Sequence, residues 1–293
     1  DERPKVRANA TERLVRLDKG IVSGLAALIA NPKTSVETKC RAVWVLHRQG
    51  SNSARAVIRE ALEHPLPEVQ IAAARSTGLA RDKIALQSVL TGSLSKDAAV
   101  SREMATALGF VGDSAATGSL ADAAAASSDS HHDHAIIYSL IQLNEPSVLK
   151  RKLKAEHSRV QRAALIALDQ LDDSPLEQSD VEPLLNATDP ELARAALWVM
   201  THHPDWADSV VSYLNDQVIT SPSWSETQAE TVREALTVFA NNQKIQKAMT
   251  DWLGGRLLPR TDNLEARQPF LFGVMAQVEV KTFPKEWESV LAK

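Results

Sequence analysis

Apolar residues along this chain fall on one helical face, and the pattern restarts about every thirty residues. If the residue that opens each helix is position zero, positions four, eight and eleven are also of buried type. Val6, Ala10, Leu14 and Leu17 form one such set, Val100, Met104, Leu108 and Val111 a second, and Val160, Ala164, Leu168 and Leu171 a third. The openers Val6, Val36, Val69, Val100, His132, Val160 and Leu192 are spaced by 30, 33, 31, 32, 28 and 32 residues. Three of the seven, Val6, Val69 and Leu192, follow a proline by two residues, as in Pro67-Glu68-Val69 and Pro190-Glu191-Leu192, which suits a helix N-terminus. Each first helix runs into a turn signal, among them Asp18-Lys19-Gly20, Arg48-Gln49-Gly50, Gly112-Asp113 and His203-Pro204-Asp205. A second amphipathic helix follows, predicted over 21–30, 53–63, 84–94, 115–126, 147–155, 181–187, 206–218 and 245–253.

The unit is therefore helix, turn, helix, and the predicted fold is all-α: an α-α superhelix of about eight to nine helix pairs. One array is expected over residues 1–293, more regular over 1–219 and looser over 220–293. Extra residues near Thr220-Ser221-Pro222-Ser223 and Leu258-Pro259-Arg260-Thr261 read as surface loops, and Phe283-Pro284-Lys285-Glu286-Trp287-Glu288 as the start of a capping helix. Aromatics at 4% and alanine-rich stretches such as Ala72-Ala73-Ala74 suit closely packed helices and disfavour strands. Such a unit buries its apolar face only against its neighbours, so the product is an extended surface whose work is binding.

The paired helices with Pro-Glu-Val-like starts resemble HEAT repeats over nearly the whole chain. That resemblance implies first helices on the convex side and second helices on the concave side. Three longer stretches resemble something narrower: Arg41-Ala42-Val43-Trp44-Val45-Leu46-His47-Arg48, Asp133-His134-Ala135-Ile136-Ile137-Tyr138-Ser139-Leu140-Ile141, and Thr188 through Met200 running into His202-His203-Pro204-Asp205-Trp206. They are similar to the HEAT region of multidomain proteins of planctomycete-type bacteria, described as membrane-bound dehydrogenases or c-type haem-binding proteins. What this implies is a non-catalytic extracytoplasmic spacer or docking scaffold, with adjacent domains or another protein as its partner. The residues themselves leave a cytoplasmic location open.

The chain contains no haem-attachment motif, since Cys40 is its one cysteine, and no cofactor is expected. No run approaches ~20 apolar residues, so direct membrane insertion is not expected. His131-His132-Asp133-His134 is the one cluster of metal-ligand types, and His131 and His134 share a helix face. Two ligands do not make a site, and a polar helix N-terminus explains the cluster without metal. His202-His203 reads as a helix C-terminus.

Charge is polarised: residues 1–82 carry 14 Lys and Arg against 9 Asp and Glu, net +5, which leaves −9 for the rest of a chain of net −4. On second helices Arg55 and Arg59 are i,i+4 neighbours, as are Lys150 and Lys154, and they form the candidate basic patches. An isoelectric point near 6.1 and acidic C-terminal repeats disfavour a nucleic-acid partner. Trp44 and Trp198 lie inside apolar runs and read as core, whereas Trp224, in the 220s loop, reads as the exposed tryptophan and a partner-binding candidate. The alternative to a scaffold is a helical-repeat enzyme, such as a glycosylase or chromophore lyase, or a nucleic-acid-binding protein, working from the concave face.

Overall fold

The computed structural model describes every residue except 1–2, 17–19, 128, 222, 255–261 and 292–293. The chain divides into two units, Asp1–Ser174 and Pro175–Lys293. The first contains α1 (Pro4–Arg16), α2 (Gly20–Ala30), α3 (Val36–Gln49), α4 (Asn52–Ala61), α5 (Pro67–Leu79), α6 (Leu86–Gly92), α7 (Ala98–Val111), α8 (Ser114–Ala123), α9 (Ser130–Leu143), α10 (Pro146–Lys152) and α11 (Ser158–Asp169). The second contains α12 (Gln178–Leu185), α13 (Pro190–His202), α14 (Ala207–Asn215), α15 (Glu226–Val238), α16 (Gln243–Gly254), α17 (Asp262–Gln277) and α18 (Lys285–Leu291). Helices are the only regular elements among the described residues, and neighbouring pairs stack in register as a helical-repeat solenoid of the HEAT/armadillo kind.

The repeat is set by N-caps. Side chains of Ser35, Asp97, Asp129, His157, Asp189 and Ser225 each accept from backbone N–H groups of the first turn of α3, α7, α9, α11, α13 and α15. Counting the cap as zero, positions three, seven and eleven point into the core: Val100, Met104 and Leu108; His132, Ile136 and Leu140; Val160, Ala164 and Leu168; Leu192, Ala196 and Met200. In α3 this count selects buried Ala42 and Leu46, with exposed Thr38 in the third place, so Val36 is not the equivalent opener. The register there is two residues later than the apolar pattern predicts, because Ser35 caps the helix and the threonine takes the third place. In α1, Val6 and Ala10 are exposed, since the helix has α3 on one side and no described helix on the other. Leu17, Asp18, Lys19 and the 258–261 loop lie outside the described residues.

A second periodic feature joins one pair to the next. In three joints of unit 1, at α3, α7 and α11, the residue four past the cap reaches back to a carbonyl eight residues earlier, at the end of the preceding second helix. Lys39 Nζ donates to Asn31 O at 2.8 Å and also to Ile29 O, Ser101 Oγ to Ser93 O at 2.5 Å, and Gln161 Nε2 to Leu153 O at 2.9 Å. These side chains satisfy carbonyls that a helix C-terminus leaves without an intrahelical donor. Lys39 is only 2% exposed and serves wholly in this role. Cys40, half-buried beside it, donates to Glu68 O at 3.4 Å, and burial pushes its thiol up from the ordinary value.

The first helices of unit 1 approach one another more closely than the second helices do. A Cβ on Gly78 of α5 would meet Ala107 Cα of α7 at 3.3 Å, and one on Gly109 of α7 would meet Ser139 Cα of α9 at 3.0 Å. On the second-helix side, a Cβ on Gly118 of α8 would meet only the side-chain atoms of Val148 and Lys152 on α10, at 3.9 and 4.0 Å.

In unit 2 the 220s insertion is not a free loop. A π-helical turn, Asp216–Thr220, follows α14, and Arg267 of α17 donates to Gln217 O at 2.5 Å, Val218 O at 2.8 Å and Ser221 O at 2.6 Å. Trp287 of α18 is buried and donates to Gln246 O of α16 at 3.3 Å, so α18 packs against α16, with Glu286 and Glu288 in its first turn.

Candidate binding face on the first helices

Successive first helices lie side by side, so equal positions beyond the N-cap form rows. The ninth position carries Trp44, Arg75, Thr106, Tyr138 and Ile166 in unit 1 and Trp198 and Glu234 in unit 2. At 100° per residue it points about 160° away from the buried seventh position. Trp198 is accordingly 42% exposed and Tyr138 40%, and Trp44 is half-buried. The reading of Trp44 and Trp198 as core residues is corrected by this geometry: their apolar neighbours in sequence face the core, and they do not. Four residues further on, the thirteenth position carries Leu79, 65% exposed, and half-buried Phe110 in unit 1, and exposed Val238 in unit 2.

In unit 1 these rows enclose a shallow notch of about 200 Å³ between α3, α5 and α7, lined by Trp44, Arg75, Gly78, Leu79, Glu103, Thr106 and Phe110. Its walls are held by cross-helix contacts. The Trp44 ring stands edge-on to His47 at 5.4 Å between centroids, and His47 Nδ1 lies 3.0 Å from Ser76 Oγ on α5. Arg75 donates to both oxygens of Glu103 at 2.7 Å, a two-point clamp that orients both side chains. Arg81, just past the end of α5, places its guanidinium 5.8 Å from the centre of the Phe110 ring. Arg81 and Arg48 make no ion pair among the described residues.

The sequence-nominated residues are elsewhere and do not converge. Arg59 is engaged by Asp82 at 2.6 Å, and Asp82 also caps the turn that follows α5, so this arginine fixes a joint. Arg55, one turn earlier on α4, is half-buried. On α10, Lys150 is half-buried and Lys154 exposed, while Lys152 between them pairs with Asp122 at 2.6 Å. All four nominated basic residues therefore lie on the second-helix side, away from the notch. Trp224 is half-buried, not exposed: its indole donates to Gln217 O at 2.9 Å, meets Phe270 edge-on at 5.0 Å and stacks under Arg267 at 4.2 Å. His131 and His134 are exposed on α9, and among the described residues no group of three His, Cys, Asp or Glu side chains is arranged to hold a metal ion. His132 instead is buried, with Nε2 3.1 Å from Ser101 Oγ. His203 ends α13 and stacks on Trp206 at 3.8 Å.

Unit 2 also holds a cleft of about 420 Å³ between α13, α14 and the start of α15. Asn186, Thr188, Tyr213, Gln217, Ser225, Gln228 and Thr231 supply its polar side chains, and no charged side chain lines it. Tyr213 at its floor has its phenol pushed above the ordinary value by burial. The cleft thus offers neither an ionised acid nor a base at neutral pH. No helix among the described residues is long and apolar enough to cross a membrane.

No family model matches the chain, and no curated protein matches it. Among solved structures it is similar to Kap95p, seen bound to RanGDP, with a TM-score of 0.49 and 12% identity over 94% of this chain and 44% of that one. Importin beta gives 0.46 and 13%, over 95% and 45%, and human deoxyhypusine hydroxylase 0.37 and 14%, over 92% and 98%. The chain spans less than half the length of Kap95p and of importin beta.

Proposed function

We propose that this chain is a non-catalytic helical-repeat scaffold that binds a protein partner, or a neighbouring domain of its own polypeptide, through the exposed face of its first helices. One observation carries the reading: bulky apolar side chains recur at matching solvent-facing positions of successive first helices, Trp44, Leu79, Phe110 and Tyr138 in unit 1 and Trp198 and Val238 in unit 2. Single exposed apolar residues are ordinary on a protein surface, but bulky ones recurring at the ninth and thirteenth positions of successive helices on one face have the composition of an interface core. The finer reading, a module of an extracytoplasmic redox protein, is supported by the residue resemblance of the 41–48, 133–141 and 188–206 stretches.

The test is capture of partners from the source cells by the immobilised chain, with Leu79→Asp and Tyr138→Asp compared against Lys154→Glu on the opposite side. Partners lost with the first two substitutions and retained with the third support the proposal. Partners lost only with Lys154→Glu would move the binding face to the second helices. A haem stain of any captured partner or parent chain tests the redox reading separately.

A further inference from the structure

We infer that the notch between α3, α5 and α7 takes an acidic peptide segment that inserts one bulky apolar side chain. This rests on the first-helix face being the binding face and names the chemistry of its occupant. The notch is deep enough for a single side chain at about 200 Å³, and its floor is Gly78, where any Cβ would crowd the backbone of α7. Leu79, Trp44 and Phe110 wall it with apolar surface, which a phosphodiester backbone would not use. Its own carboxylate, Glu103, is neutralised by Arg75. What remains is positive: Arg48 lies one turn beyond Trp44 on the same face, and Arg81 rises beside Phe110, neither of them paired. The occupant that matches apolar walls under a rim of unpaired arginines carries carboxylates around an aliphatic or aromatic anchor.

Arg81 adds an independent argument. Its backbone has φ of +48°, a left-handed conformation at the end of α5 that glycine adopts without strain and a branched or long side chain does not. Gly50 holds the corresponding place after α3, with φ of +70°. Glycine would take this conformation with less strain, so Arg81 sets its cation beside Phe110 at a cost to the fold.

The test pans phage-displayed random dodecapeptides on the full chain and then measures synthetic peptides from the leading clones by fluorescence anisotropy at two salt concentrations. Clones with net negative charge and a bulky apolar residue are expected. Leu79→Asp should weaken the leading peptide by roughly tenfold or more, as loss of an anchor contact does. Arg48→Glu and Arg81→Gly should weaken it and flatten its salt dependence, while Arg81→Gly leaves the urea midpoint unchanged or higher. Basic or uncharged clones, no clones at all, binding indifferent to Leu79→Asp and Arg81→Gly, or displacement of the leading peptide by a single-stranded oligonucleotide would each overturn the inference. Non-acidic clones that are still lost with Leu79→Asp would refute this chemistry and leave the first-helix face standing; acidic clones indifferent to every first-helix substitution would refute both.

Discussion

Gly109→Ala measures the close approach of the first helices directly. Alanine is favoured over glycine inside a helix by about 0.5–1 kcal/mol. At Gly109, however, the added Cβ would lie 3.0 Å from Ser139 Cα, 3.0 Å from Ser139 Oγ and 3.1 Å from Ser139 Cβ. Two of these atoms belong to no flexible tail, so α9 must retreat from α7, and overpacking of this kind costs about 1–3 kcal/mol. The net expectation is a loss of about 1–2 kcal/mol. Gly24, exposed in α2 with nothing within 4 Å of a Cβ, is the matched control. Gly24→Ala receives only the helix preference and should gain about 0.5–1 kcal/mol. Urea unfolding followed by far-UV circular dichroism reads both changes as midpoint shifts at constant slope. The two substitutions should move the midpoint in opposite directions. A Gly109→Ala protein as stable as the parent would refute the close backbone contact between α7 and α9. Adding Ser139→Ala relieves the Oγ contact alone and should restore stability only in part.

Three further outcomes follow from individual contacts. Leu168, fully buried on α11, should cost about 2–5 kcal/mol when cut to alanine, and an unmoved denaturation midpoint would contradict its burial. Burial holds the His132 imidazole below its ordinary value, with Asp129 and Asp133 pulling the other way and Arg102 adding to the depression. The unfolded chain therefore takes up that proton first, so the stability present above about pH 6.5 is lost as the pH falls below it. His132→Gln should shrink the difference in urea midpoint between about pH 7.5 and pH 5, and an unchanged difference would assign the titration to another group. Arg267→Met strips donors from three carbonyls and should destabilise unit 2 by about 2–4 kcal/mol. It should also red-shift the Trp224 contribution to fluorescence, obtained by difference from Trp224→Phe; an unshifted contribution would mean that Arg267 does not cover the ring.

The helix pairs were legible because burial has a period: Met104 and Leu108, or Ala164 and Leu168, are apolar at the spacing a helix face demands. N-caps carry a local signal too, since Asp97 and Asp189 each stand three residues before a buried apolar residue, Val100 and Leu192. In α3 the apolar Val36 outweighed the capping Ser35, and the register slipped by two. The binding face was missed because a run such as Ala42-Val43-Trp44-Val45-Leu46 looks uniformly buried when read by neighbourhood. Read by angle, Trp44 stands two residues from Ala42 and so faces away from it; the same count from Asp189 exposes Trp198. The fate of Arg59 and Trp224 was beyond any periodic argument. Their partners Asp82 and Arg267 lie 23 and 43 residues away, and only the fold brings them together.

The tie between consecutive pairs differs in one respect from the contacts of an ordinary core. Its donor is lysine in one joint, serine in another and glutamine in a third, yet the acceptor is always a main-chain oxygen, which every residue possesses. Such a joint asks nothing of the identity of the residue it lands on. A segment of about thirty residues that carries such a donor can therefore be duplicated whole over evolutionary time, and the new junction closes without a compensating change next door.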